Sequence, residues 1–228
     1  MRRYVKRSRK HKALFNTRLD NLFSLLMFSV DLVIILMHVG TGIYEVGRPV
    51  MNLNADWSIG EIYQYIKEAW IAFLLVFIFI KNKCVGYLLW AALFFYILMD
   101  DALQIHEETG AYLAQILGFE NTANMNSIEL FIRSSISMIA PAIVCSIIFA
   151  GIVCCYKQED SVFQARTKRF ILLFVLLVFF SVLVDGIAYS VGKDSTWSFA
   201  LDTIEDGGEM LIMTLIYLST LKFWLEDY

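Results

Sequence analysis

The sequence predicts an all-α integral membrane protein: a six-helix transmembrane bundle with both termini cytoplasmic and an outward-facing acidic cavity. Three observations lead there. Of 228 residues, 58% are hydrophobic, 18% are charged and only two are proline, which is no soluble composition. Apolar runs long enough to cross a bilayer recur six times, and lysine and arginine fall on alternate connections. Six spans need roughly 120 to 140 residues, which leaves short connections and no room for a separate soluble module.

A basic tail over residues 1–20 precedes a single transmembrane domain over 21–228. The expected spans are 21–45, 59–80, 84–106, 128–156, 167–191 and 199–225. Gly47, Arg48 and Pro49 mark the end of the first, Lys81, Asn82 and Lys83 that of the second, and Gly192, Lys193 and Asp194 that of the fifth. Pro141 falls inside the fourth span, where a kink is tolerable. The first span is too long for the apolar core of a signal peptide and contains Asp31, so it reads as an uncleaved signal anchor.

Orientation follows from the cations. Arg2, Arg3, Lys6, Arg7, Arg9, Lys10, Lys12 and Arg18 lie in the tail. Lys81 and Lys83 follow the second span, Lys157, Arg166, Lys168 and Arg169 the fourth, and Lys222 ends the sixth; the alternate connections offer Arg48 and Lys193. Both termini are therefore expected inside, in a bacterial inner membrane, with residues 2–18 resting on anionic lipid headgroups. Trp57, Tyr63 and Trp197 read as outer aromatic anchors, and Tyr87, Trp90 and Trp224 as inner ones. No aromatic interleaving or nucleic-acid-binding motif accompanies the basic tail, so no nucleic-acid partner is expected, and oligomerisation stays open. Cys84, Cys145, Cys154 and Cys155 read as reduced packing residues in the inner halves of the third and fourth spans.

Sorting the carboxylates by side sharpens a net charge of only -3. Of the 19 basic and 22 acidic residues, 15 and 6 belong to the inner side and 4 and 16 to the outer. Helical spacing then groups the outer acids. Asp202, Glu205, Asp206 and Glu209 fall on one face of the sixth span, Glu61, Tyr65 and Glu68 on one face of the second, and Asp31, His38 and Glu45 step by seven along the first. Asp100, Gln104 and Glu107 share a face of the third span, with His106 pointing elsewhere, and Ser181, Asp185 and Tyr189 share one of the fifth. A charge facing lipid at mid-depth costs at least ~2.5 kcal/mol, so these stripes turn inward. Asp31, Glu68 and Glu209 lie roughly 13–17 Å from the nearer span end, close to the midplane.

The candidate metal- or proton-binding set is Asp31, His38, Glu68, Asp100, Asp101, His106, Asp185, Glu205 and Glu209, with Glu129 and Arg133 as a charge pair. Crowded carboxylates in low dielectric share protons, pair with bases or hold cations. With two imidazoles nearby the set suits Zn, Mn or Fe; carboxylates alone suit Mg or Ca. Lys67, beside Glu68 in sequence, points about 100° away and is expected to pair elsewhere or snorkel. The connection 107–127 reads as an amphipathic lid or docking surface.

The strings MDDALQIHEETG and LDTIEDGGEML resemble a motif of uncharacterised bacterial multi-pass membrane proteins, an acidic pair followed after four residues by His-Glu, with a later acid-rich helix start. That likeness carries no activity. The chain is also similar to seven-helix metal-dependent ceramidase-like hydrolases in its membrane-embedded acid and histidine, but departs from them in its six spans and two membrane histidines. Three functions fit the residues: a cation- or proton-binding transporter or sensor, a metal-dependent enzyme on a lipid-like substrate at the outer leaflet, and a non-catalytic assembly protein.

Overall fold

The computed structural model describes the backbone of residues 2–43, 49–51, 53, 57–119, 125–191 and 196–227, and the side chains within those segments from residue 21 onward except at 43, 49 and 196. Every element is helical, with no strand among the described residues: α1 (Arg2–Ile43), a 3-10 turn (Pro49–Met51), α2 (Ile59–Asn82), α3 (Val85–Ala102), α4 (Ile105–Leu117), α5 (Ser127–Ser137), α6 (Ile139–Tyr156), α7 (Ser161–Val178), a π-helical segment (Phe179–Val184), α8 (Asp185–Val191) and α9 (Thr196–Asp227). Six stretches are long and apolar enough to cross a membrane: Asn21–Gly42, Ile59–Asn82, Val85–Ala102, Ile139–Tyr156, Ser161–Val191 and Trp197–Asp227. Residues 2–20 of the tail continue the first of these as helix; Met1, the tail's side chains, Glu45, Gly47, Arg48 and residues 192–195 lie outside the described residues.

Two of the expected spans are broken. The third stops at Ala102, because Gln104 adopts a left-handed backbone (φ 53°) and a new helix starts at Ile105 with Glu107 and Glu108 in its first turn. Acids there complement the helix amino terminus, which makes the restart favourable. The fourth divides at Met138, between α5 and α6. Pro141 explains the site of the break, since its ring clashes with the carbonyl four residues earlier, at Ser137. The fifth begins at Ser161 rather than 167, capped by Asp160, whose side chain accepts from Phe163 N.

The core sits at the end of the bundle away from the acids. Trp90, Phe94, Phe163 and Phe170 are fully buried there, and the Trp90 indole donates to Thr167 Oγ1 at 3.4 Å. Tyr87 and Trp90 are thus packing residues and not interfacial anchors: each finds its polar partner inside the protein, Tyr87 through Arg166. Trp57 and Trp197 remain well exposed, as anchors should be.

Candidate functional site

The break at Leu103–Gln104 builds the site. Asp100 and Asp101 end α3, and the left-handed turn folds α4 back so that His106 Nδ1 comes within 3.2 Å of Asp100 Oδ2. On one continuous helix His106 would point roughly 120° away from the Asp100 face, as the spacing suggested; the turn overrides that geometry. One ligand atom from each of Asp100, Asp101 and His106 lies within 4.8 Å of the others, a spread that one ion with bonds of about 2.1 Å could gather by small side-chain rotations.

The His106 Nδ1 contact lacks hydrogen-bond alignment, and Asp100 Oδ1, Asp206 Oδ2 and both oxygens of Glu68 are buried without a hydrogen-bond partner among the described residues. Four of the six such atoms belong to Asp100, His106 and Glu68, the last of which interacts with Asp101. Orphaned buried polar atoms are rare and costly, and a cation held by Asp100, Asp101 and His106 would satisfy those on Asp100 and His106. Glu68, fully buried, interacts electrostatically with Asp101 and Glu209. His106 lies beyond the spans. Burial opposes its protonation, but Asp100, with Asp101 and Glu107, outweighs that and holds the imidazole above its ordinary pKa.

A cavity of about 2010 Å³ opens over the cluster and takes in His38, Asp185, Asp202, Glu205, Asp206 and Glu209. The acidic face of α9 is therefore on the cavity as its spacing requires, opposite Glu61 and Tyr65 of α2 and Ser181, Asp185 and Tyr189 beyond α7. Tyr65 donates to Glu61 Oε2 at 3.1 Å and to the Asp101 carbonyl at 3.3 Å, tying α2 to the α3 terminus. Ser134 of α5 donates to Asp185 Oδ2.

Other expected members take structural roles. Asp31 is not part of the cluster: it is fully buried against Lys67, at 3.2 Å, because Lys67 leaves the Glu68 face and reaches across to α1 and α9. His38 lines the cavity, yet its Nδ1 accepts from Leu53 N–H (3.1 Å), so its Nε2 carries the proton and donates to Thr203 Oγ1 (3.1 Å), with the ring stacked on Phe199. Nε2 thus joins α1 to α9 and Nδ1 holds the connection at Leu53, so both nitrogens are already hydrogen-bonded. Glu129 does not pair with Arg133. Its carboxylate accepts from Asn126 N–H in a capping box at the start of α5, and Arg133 faces the cavity with no ion pair among the described residues. Cys145 packs against the hydrophobic core, as expected, and also lines the cavity wall.

Connection 107–127 contains a helix, α4, that packs Gly110 and Ala114 inward and exposes Tyr112, Ile116 and Leu117. Spacing put Gln104 on the Asp100 face of an unbroken helix, whereas it is the hinge (φ 53°), and Arg166, expected in a loop, is buried. For Gln104 a signal existed: Glu107 and Glu108 mark a helix start.

Fold and cluster together define a helical membrane protein with a polar, buried carboxylate–histidine centre. The chain belongs to the family described as a domain of unknown function (DUF8692), whose model matches residues 27–223. No curated protein and no solved structure matches it.

Proposed function

We propose that this protein is a metal-dependent membrane enzyme that holds one divalent cation on Asp100, Asp101 and His106 and acts on a lipid-like substrate from the outer leaflet. The observation that carries it is that one ligand atom from each of Asp100, Asp101 and His106 lies within 4.8 Å of the others, with Asp100 Oδ1 and His106 Nδ1 buried and without a hydrogen-bond partner among the described residues. A carboxylate–imidazole set favours Mn, Fe or Zn, and a bound ion would activate water beside Glu68 and Glu209 as nearby bases. Transport is the weaker reading. The opposite half is filled largely by Trp90, Phe94, Phe163 and Phe170, none of which lines the cavity. The charge asymmetry supports both termini inside a bacterial inner membrane and the acidic mouth outside.

The test is metal analysis of detergent-purified protein, stripped with chelator and titrated with Mn²⁺, Fe²⁺ or Zn²⁺. One ion per chain is expected, with affinity lowered at least about tenfold in Asp101→Asn and His106→Ala, as for the loss of a direct ligand, and little changed in His38→Ala. A protein that retains none of these ions overturns the metal centre. Ion flux in proteoliposomes, abolished by Glu68→Gln, would overturn the enzyme reading in favour of transport.

A further inference from the structure

The cavity has a second end whose chemistry is unlike the first. Beyond the acids its walls are apolar: Ala142, Cys145 and Phe149 on α6 face Phe174, Leu177 and Val178 on α7. The Phe149 and Phe174 rings meet at 5.0 Å and close its floor. Consecutive helices α6 and α7 otherwise touch sparingly, whereas α2 packs along α3 and α9. A seam thus runs between α6 and α7 from the Phe149–Phe174 pair towards the acidic end. Around it, Ile143, Ile147 and Val175 are exposed, a surface suited to acyl chains.

Where the apolar and acidic parts meet stands Arg133. It is half-buried on the cavity wall and belongs to none of the four ion pairs among the described residues, while the Glu129 carboxylate that spacing offered it is spent on the α5 cap. A half-buried guanidinium on a cavity wall, with no ion pair among the described residues, is matched best by a bidentate oxyanion such as a phosphate. A free phosphate or an acidic lipid would be repelled by Asp202, Glu205 and Asp206 at the mouth, which instead favour a headgroup with a cationic far end. At about 2010 Å³ the cavity also exceeds the roughly 300–1,000 Å³ of ordinary small-molecule sites.

We propose that the cavity seats a zwitterionic aminophospholipid that enters through the α6–α7 seam, its phosphate on Arg133, its ammonium among the α9 acids and one acyl chain between Phe149 and Leu177. This names the substrate class for the reading above and rests on it only for the chemistry; the seat itself needs Arg133, the acids and the seam. Native mass spectrometry of delipidated protein tests it, with phosphatidylethanolamine and phosphatidylglycerol of matched chains as probes and metal occupancy read in the same spectra. Phosphatidylethanolamine is expected to bind about tenfold tighter than phosphatidylglycerol, and Arg133→Gln to lose about tenfold in its binding with the metal retained, the scale of one charged hydrogen-bonded contact. A phosphatidylethanolamine carrying a photoreactive acyl chain is expected to crosslink to α6 and α7. Equal binding of the two lipids, unaltered binding by Arg133→Gln, or crosslinks confined to α1 and α2 would each overturn the seat and leave the metal centre standing. Selective lipid binding by protein that takes up no metal would do the reverse.

Discussion

Lys67 Nζ lies 3.2 Å from Asp31 Oδ1 with both side chains wholly excluded from solvent, one residue along α2 from Glu68, whose carboxylate has no hydrogen-bond partner among the described residues. Lys67 spends its remaining donors on the Met210 carbonyl (2.9 Å) and Thr214 Oγ1 (3.1 Å). The pair therefore pins α1 and α9 to α2 and keeps Lys67 from neutralising the cluster by direct contact. Lys67→Met strands the Asp31 charge and should destabilise the protein by about 3–5 kcal/mol, whereas Asp31→Leu with Lys67→Met should fall within about 1 kcal/mol of wild type or above it. Thermal unfolding in detergent measures both, and a double variant as unstable as the single one refutes the assignment.

The turn at Gln104 makes a second expectation. Its φ of 53° is open to glycine without strain but costs a β-branched residue about 1–2 kcal/mol. Gln104→Gly should keep or slightly raise stability and keep the ion, while Gln104→Val should weaken ion binding more than it lowers the unfolding temperature, because it swings His106 off Asp100. Equal ion affinity in the two variants would show that the hinge does not set the site.

The α4–α5 contact sits one turn further on. A Cβ on Gly110 would lie 2.6 Å from the Ser137 Cα, a clash with backbone that only a shift of α4 can relieve. Gly110→Ala should cost about 1–3 kcal/mol and reduce ion affinity through His106. Tyr112→Ala, on the exposed face of the same helix, should stay within about 0.5 kcal/mol and bind the ion normally. Parallel calorimetry and ion titration would check the contrast.

How much of this was legible follows from what helical periodicity can and cannot carry. The six spans and the inward stripes of α9 and α2 depend only on residues within one helix, so spacing located Glu205, Asp206 and Glu209 on one wall. The pairing of Asp31 with Lys67 joins residues 36 apart and depends on which helices are neighbours, which no single-helix pattern contains. His106 was misplaced for another reason: one left-handed residue rotates everything after it, and an unbroken-helix assumption propagates the error. Arg133 was assigned to Glu129 on one-turn proximity, when a glutamate three residues after Asn126 is also the capping-box partner that α5 uses.

A cation bound by the folded site and not by the unfolded chain must stabilise it. At a free concentration one hundred times the dissociation constant the gain is about 2.7 kcal/mol. Mn²⁺ or Zn²⁺ should therefore raise the unfolding temperature of wild type, and chelator should reverse it. Asp100→Asn, nearly isosteric, should fold but show no cation-dependent shift. A shift that persists in Asp100→Asn, or in its double with Asp101→Asn, would place the cation elsewhere.

At the opposite end of the bundle Arg166 provides an internal control. Its side chain is 6% exposed, grips Asp227 bidentately at 2.9 Å through both terminal nitrogens, and donates to Tyr87 Oη at 3.0 Å; Asn82 adds a 2.7 Å bond to the same carboxylate. One carboxylate near the end of α9 thereby joins α2, α3 and α7. Asp227→Ala leaves the guanidinium buried and short of its main partner, a loss of about 3 kcal/mol, because breaking a buried pair strands a charge. Glu226 also touches Arg166, at 3.3 Å, but is half exposed, so Glu226→Ala should change stability by about 0.5 kcal/mol or less. Neither variant should alter ion affinity, since the latch and the carboxylate–histidine centre share no residue. Loss of the ion in Asp227→Ala under conditions where the protein remains folded would instead show that the two ends of the bundle are coupled through α9.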